Sequence, residues 1–240
     1  CNKVLAELND NVFCLATDSE SIATALVGNA EQNNVKKVAI IHWNSDSFMP
    51  LVKDFFVEKF KTGEAKVVEG YSAGTTDFRT ILLKAIDKKV DAIVFLGYDE
   101  TGLAMKQARE LGFSGKFYAT GTITSPSLQK IAEGSAEGAI FAFWNAPKDR
   151  EPAKSFTQEF VNRTKRPPIL DLATYPTYDS VKVLENALKK ASTNDLGQLR
   201  TAILETEFDG TTGKILFEQD GSVRIKESAY KLENGSPKIV

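Results

Sequence analysis

The chain has 240 residues, enough to bury a full core as one large domain or as two modest ones joined closely. With 42% hydrophobic and 26% charged residues, and a net charge of -2 from 30 basic and 32 acidic side chains, it has the composition of an ordinary soluble globular protein. That balance leaves no electrostatic footprint for nucleic acid or an anionic membrane surface, and one histidine with two cysteines excludes a zinc hydrolase built on several nitrogen and sulfur ligands.

No apolar run approaches the ~20 residues that span a bilayer, and residues 1–10 lack the basic-then-apolar pattern of a signal peptide, so a leader was either never present or has been removed. Cys1 and Cys14 are an even pair able to bridge, but the loop between them is short and an N-terminus gives little reason to expect it. Cys1 in first position fits a lipid-bearing mature terminus and an arbitrary start equally well.

Short β-rich apolar runs then recur at residues 37–42 (KVAIIH), 65–69 (AKVVE), 91–97 (DAIVFLG), 116–120 (KFYAT) and 138–143 (GAIFAF). Continuous rather than alternating, they predict strands covered on both faces. Between them Leu51, Val52, Phe55, Phe56 and Phe60 form one apolar helical stripe, and Ile81, Leu82, Ala85 and Ile86 another. Ser47 and Asp77 are placed to cap helices, Asp99 and Glu100 begin a third, Pro126 follows Ser125 as a first-turn proline, and Gly63 and Gly112 close two helices. The alternation with short links predicts an α/β fold with a doubly wound parallel sheet.

Ligands of such sheets lie beyond the carboxyl ends of the strands, which directs attention to residues 42–48, 98–100 and 120–124. Past Phe143 the rhythm changes: Pro147, Pro152, Pro167 and Pro168 break it, and residues 153–163, 178–191 and 196–205 read as helices. A turn at Gly210 and Gly213 precedes a strand-like KILF, and the last thirty or so residues read as a hairpin closed near Asp220 and Gly221. The late helices have apolar faces and no parallel sheet of their own to cover.

Catalytic motifs are missing. The GxGxxG and GxxxxGK[ST] patterns are absent, the segment from Gly210 to Lys214 being too short for the latter, and no cofactor or metal is expected. His42 lies near Ser45 and Ser47 but without a GxSxG elbow, and a lone histidine at a strand end is more often a hydrogen-bonded structural residue. The chain reads as a non-enzyme. Tyr98, an aromatic plate with a polar tip at a strand end, suits a small amphipathic ligand, whereas Asp99 and Glu100 read as helix-dipole partners.

The segments KKVAIIH, YSAGTTDF, VDAIVFLGYDETGLAMKQARELGF and SAEGAIF, followed by ATYPTYDSVKVLENAL and FDGTTGKILFEQDGSV, resemble the periplasmic solute-binding proteins of branched-chain amino acid ABC importers. The resemblance implies the type I periplasmic-binding-protein fold: two lobes joined by three crossovers, closing on a ligand by hinge motion. It implies that residues 15–144 form the second lobe, that 145–207 belong with the first, and that 208–240 return to the second as a strand and hairpin. The strand-rich start of the first lobe is not encoded in these residues.

The resemblance also implies ligand-binding positions. One family aromatic falls at Ser47 or Phe48, where the usual tyrosine-glycine is replaced, and a second falls at Tyr98. The family's ammonium-gripping acid falls at Gly121, leaving Thr120, Thr122 or Asp99 to stand in. The expected function is capture of an amino acid or a related amide or carboxylate outside the cytoplasmic membrane, in the periplasm or at the cell surface, for ABC permease subunits. A ligand-sensing module of a signalling receptor is the alternative. A further one is a dimerising fragment, self-associating through helices that carry Val181, Leu184 and Leu188 on one face.

Overall fold

Strands with β-branched residues on both faces need helical cover on both sides, and the chain supplies it by alternating the two. A computed structural model describes residues 9–144, 148–191, 195–223 and 225–240. In chain order these form α1 (Ser19–Gln32), β1 (Lys37–Trp43), α2 (Phe48–Lys59), β2 (Glu64–Tyr71), α3 (Arg79–Asp87), β3 (Ala92–Leu96), α4 (Glu100–Glu110), β4 (Lys116–Ala119), a 3-10 turn (Gly121–Thr124), α5 (Pro126–Ala132) and β5 (Ile140–Trp144). All five predicted strands are present, each within about two residues of its expected ends.

The described residues belong to two compact units, one of Ile22–Phe143 and Glu227–Val240, the other of Cys1–Ser21 and Trp144–Lys226. The chain therefore changes unit three times. In the first of these units the sheet order is β2-β1-β3-β4-β5, with every one of these neighbours parallel, and the sheet is completed by β8 (Glu227–Glu233) and β9 (Ser236–Ile239). Val38, Ile40, Val94, Leu96, Val52, Phe56 and Leu26 meet in a single apolar cluster on one face of the sheet. Each fully buried aliphatic side chain of this kind contributes roughly 1.5–3 kcal/mol. Tyr118 reaches the same cluster because its hydroxyl donates to Asn29 Oδ1 at 3.2 Å, which satisfies its polar end.

The path through this sheet reverses at β1. From β1 the chain moves outward to β2, then returns across to β3 and continues the other way to β4 and β5. Loops leaving β1 and β3 consequently part in opposite directions and open a crevice between the two strand ends.

The other unit contains α6 (Ala153–Thr164), α7 (Asp171–Ala191), α8 (Leu196–Leu204) and a two-stranded antiparallel ribbon of β6 (Glu207–Gly210) and β7 (Gly213–Leu216). α7 begins seven residues earlier than expected and carries Pro176 inside it. A proline so near the helix start removes one backbone bond without ending the helix, and Tyr175 beside it is buried with its hydroxyl 2.7 Å from Thr157 Oγ1. Val181, Leu184 and Leu188 lie on an open face of α7, exposed by 61%, 46% and 41%.

Two assignments of the C-terminal region differ from the expectation. The turn at Asp220 and Gly221 does not close the final hairpin; it is tied to the start of the chain, with Cys14 N donating to Gly221 O at 2.8 Å and Val223 N donating to Cys14 O at 2.9 Å. Residues 208–226 and 15–21 accordingly lie in the α6–α8 unit, while the hairpin that joins the large sheet starts at Glu227. That hairpin turns at Asn234 and Gly235, both with positive φ (51° and 72°), as a two-residue turn matching strand twist requires. No described cysteine is free, so Cys14 is bonded; Cys1, with the lipid and bridge readings attached to it, lies outside the described residues.

The α6–α8 unit is organised around a charge. Asp179 on α7 is fully buried and accepts from Thr211 N (2.8 Å), Thr211 Oγ1 (3.0 Å), Thr212 N (2.9 Å) and Thr212 Oγ1 (2.8 Å), fastening the β6–β7 turn to the helix. A Cβ at Gly210 would lie 2.7 Å from Asp179 Oδ2, so the approach needs glycine there. Asp179→Ala strands three buried donors, the Thr211 hydroxyl keeping the Tyr175 carbonyl at 3.1 Å, and is expected to cost about 3 kcal/mol or more, with Asp179→Asn intermediate, whereas Val181→Ser on the open face should cost about 0.5 kcal/mol or less. Urea unfolding followed by far-UV circular dichroism measures all three, and equal losses for Asp179→Ala and Val181→Ser would contradict this account.

Candidate functional site: the carboxyl edge of the parallel sheet

β1 ends at Trp43, and the loop after it is fixed by one side chain. Asp46 Oδ1 accepts from the backbone N–H groups of Phe48 and Met49, at 3.0 Å each, and so caps α2. Ser47, expected in that role, makes no side-chain capping bond; its backbone is already helical (φ -92°, ψ -12°) rather than in the extended conformation of a capping residue. Phe48 packs against the apolar cluster of the sheet.

Across the crevice β3 runs out through Gly97 into Tyr98, a side chain 39% exposed. The Tyr98 hydroxyl donates to Asp46 Oδ2 at 3.0 Å, and its ring meets Trp43 edge to face, with centroids 4.8 Å apart and planes at 88°. Loops from the two strands that part at the switch point are thereby joined by one hydrogen bond and one aromatic contact. Burial first, and then the hydrogen bond and the charge of Asp46, push the Tyr98 phenol up to about 12.

Tyr71 at the end of β2 completes this side. It is 4% exposed, stacks edge to face on Phe78, and reaches past β1 so that its hydroxyl fills the space where a Cβ on residue 97 would stand. Glycine at position 97 is what admits it. The hydroxyl comes near the Tyr98 backbone but has no partner at hydrogen-bonding geometry, and burial pushes its pKa well above the ordinary tyrosine value.

At the end of β4, Thr120 and Gly121 are buried and Thr122 is half-buried. Thr122 Oγ1 donates to the Gly97 carbonyl at 2.7 Å, which leaves Thr120 Oγ1 as the donor in its 2.8 Å contact with Thr122 Oγ1. Both hydroxyl protons are thus spent inward. Asp99 accepts from Ser125 Oγ at 3.2 Å and from Ser127 Oγ, which ties the start of α4 to the start of α5.

Among the expected residues, Tyr98, Thr120, Gly121 and Thr122 are gathered on neighbouring strand ends, and Ser47 and Phe48 follow the adjacent loop. Trp43 and Asp46 lie inside the stretch 42–48 without having been singled out, and Tyr71 lies outside the indicated stretches. Trp43 and Tyr71 end strands as Tyr98 does, so the criterion that selected Tyr98 selects them too; Asp46 is a capping residue type two positions ahead of a helix. His42 lies inside β1, its Nδ1 3.4 Å from the Trp43 carbonyl, with burial holding its imidazole below the ordinary value. Ser45 instead accepts from Ala73 N at 3.4 Å. No histidine–serine pair forms, and no cluster able to hold a metal exists among the described residues.

Because the tyrosine's raised pKa favours its neutral form in the fold, its contribution to stability is complete below pH about 10 and is lost as pH rises towards about 12. Asp46→Asn should bring the Tyr98 titration back towards the ordinary tyrosine range, measured as phenolate absorbance against a Tyr98→Phe blank. An unchanged midpoint would mean that Asp46 does not hold the phenol.

The comparisons with known proteins agree with this architecture. The family model described as periplasmic binding protein matches residues 6–232. The leucine-, isoleucine-, valine-, threonine- and alanine-binding protein of Pseudomonas aeruginosa is 25% identical over 159 residues, covering 66% of this chain and 42% of that protein. The Leu/Ile/Val-binding protein of Escherichia coli is 24% identical over 212 residues, covering 86% of this chain and 56% of its own length. Among solved structures, the branched-chain amino acid substrate-binding protein LivJ of Streptococcus pneumoniae, in complex with isoleucine, superposes with a TM-score of 0.84 at 26% identity, over 98% of this chain and 69% of that one. The chain spans about half the length of the curated relatives it matches. With a family model covering nearly all of its residues, the chain belongs to the periplasmic binding protein family.

Proposed function

We propose that this chain is part of an extracytoplasmic solute-binding protein that captures an amino acid or a related small molecule and presents it to the permease of an ABC importer. The observation that carries the reading is the β1/β3 switch point, where Trp43, Asp46 and Tyr98 converge at the sheet edge at which parallel α/β folds hold ligands. The relatives named for leucine, isoleucine and valine binding support the ligand class. Among the described residues no helix is long and apolar enough to cross a membrane.

Tyr98, Thr120, Thr122 and the loop of Ser47 and Phe48 form one wall of the site in this reading. Gly121 contributes backbone alone, so the family's acidic contact is not supplied from β4. In this reading binding proceeds without turnover; among the described residues His42 and Ser45 bond to backbone groups rather than to each other.

Isothermal titration of the chain against amino acids, amides and carboxylates should give saturable binding, weakened about tenfold or more by Tyr98→Ala, with the solute recovered chemically unchanged by mass spectrometry. Silence across the panel, or consumption of a solute, would overturn the proposal.

A further inference from the structure

The base of Tyr98 is gripped from several directions. Gly97, the residue before it, has its carbonyl held by Thr122 Oγ1 at 2.7 Å, and the Tyr71 hydroxyl lies 1.9 Å from where a Cβ on position 97 would stand. Buried Thr101 donates through Oγ1 to the Tyr98 carbonyl at 2.7 Å. Tyr71 is thus a buried strut that crosses from β2 and rests against the backbone of β3, so the groups that fix its ring also fix the base from which Tyr98 projects.

That ring is set by Phe78, which is fully buried and meets it edge to face, with centroids 5.1 Å apart and planes at 78°. Phe78 stands at the start of α3, after a loop of residues 72–77 that is exposed along most of its length. The bonds at the loop's tip are long: Ala73 N donates to Ser45 Oγ and Gly74 N to Glu100 Oε1, at 3.4 Å each. Its other end is held firmly by a side chain of α4. Gln107, buried, accepts from Phe78 N through Oε1 at 2.7 Å and donates from Nε2 to the Thr76 carbonyl at 2.9 Å. A backbone donor and a backbone acceptor two residues apart require a partner with one acceptor and one donor side by side, which is what an amide carries.

We propose that Gln107 is a positioning residue for Tyr98, acting through Phe78 and Tyr71 to hold the aromatic wall of the sheet edge at its height. The path stands on packing and hydrogen bonds within the larger unit, and its consequence for affinity rests on the solute-binding reading. Without the amide, the Phe78 N–H is left buried and unsatisfied, and relief of that cost moves Phe78, then Tyr71, and then the strand end at Gly97.

The test uses Gln107→Met, which keeps the length of an unbranched side chain and removes both hydrogen bonds. Near-UV circular dichroism reads the edge-to-face contact of Trp43 with Tyr98 as the band that Tyr98→Ala abolishes. Gln107→Met is expected to lose most of that band while far-UV circular dichroism stays that of the folded chain. Asp179→Asn, which loosens the other unit and touches nothing on this path, should keep it. In calorimetric titration with a solute that the wild-type chain binds, Gln107→Met should weaken affinity about threefold or more, and add nothing in a Tyr98→Ala background.

A folded Gln107→Met chain with the band intact, or equal weakening with and without Tyr98→Ala, would overturn the inference and reduce Gln107 to a staple of the loop. Should Gln107→Met fail to fold, Tyr71→Phe, which loses only the hydroxyl resting against Gly97, decides in its place: a diminished band supports the path and an unchanged one overturns it. If no solute binds, the spectra still decide the path, and only the solute-binding reading falls.

Discussion

A parallel sheet whose central strands are apolar on both faces can bury them only under helices on both sides, and this leaves the strand ends as the places where side chains reach outward. In the larger unit that constraint is met through β1, β3 and β4, whose residues from Val38 to Ile41, from Ala92 to Leu96 and from Phe117 to Ala119 are all buried. Polar and aromatic groups are therefore concentrated where the strands stop. The reversal at β1 then separates two of those ends and gives the concentration a cleft to line.

Within the cleft Asp46 joins local and long-range structure. One of its oxygens satisfies the start of α2, and the other holds Tyr98 across the crevice against Trp43. Helix capping, a loop conformation and the orientation of an exposed aromatic side chain thus depend on a single carboxylate. Gly97 has a complementary part on β3, since only a missing side chain lets Tyr71 cross beneath Tyr98.

The smaller unit solves a different problem with the same chemistry. Lacking a broad sheet of its own, it attaches a short ribbon to α7 through a buried aspartate saturated by four threonine donors. Such a charge is tolerable in the interior because every bond it makes is charge-assisted and none of the four donors is left over.

Strand positions, helix alternation and the parallel class were legible because burial on both faces writes continuous β-branched runs, which survive any arrangement of neighbours. Tyr98 was legible for the same reason, as an aromatic residue at the end of such a run. The Asp220–Gly221 turn misled because its local signal is genuine but its placement depends on a partner far along the chain: the turn is claimed by Cys14. The pairing of Asp46 with Tyr98 joins residues fifty-two positions apart. By itself the sequence determined which segments are strands and that their ends hold aromatic and hydroxyl groups; only the tertiary structure decided which ends face one another, because strand order is set by crossover connections and packing rather than by the composition of any one strand.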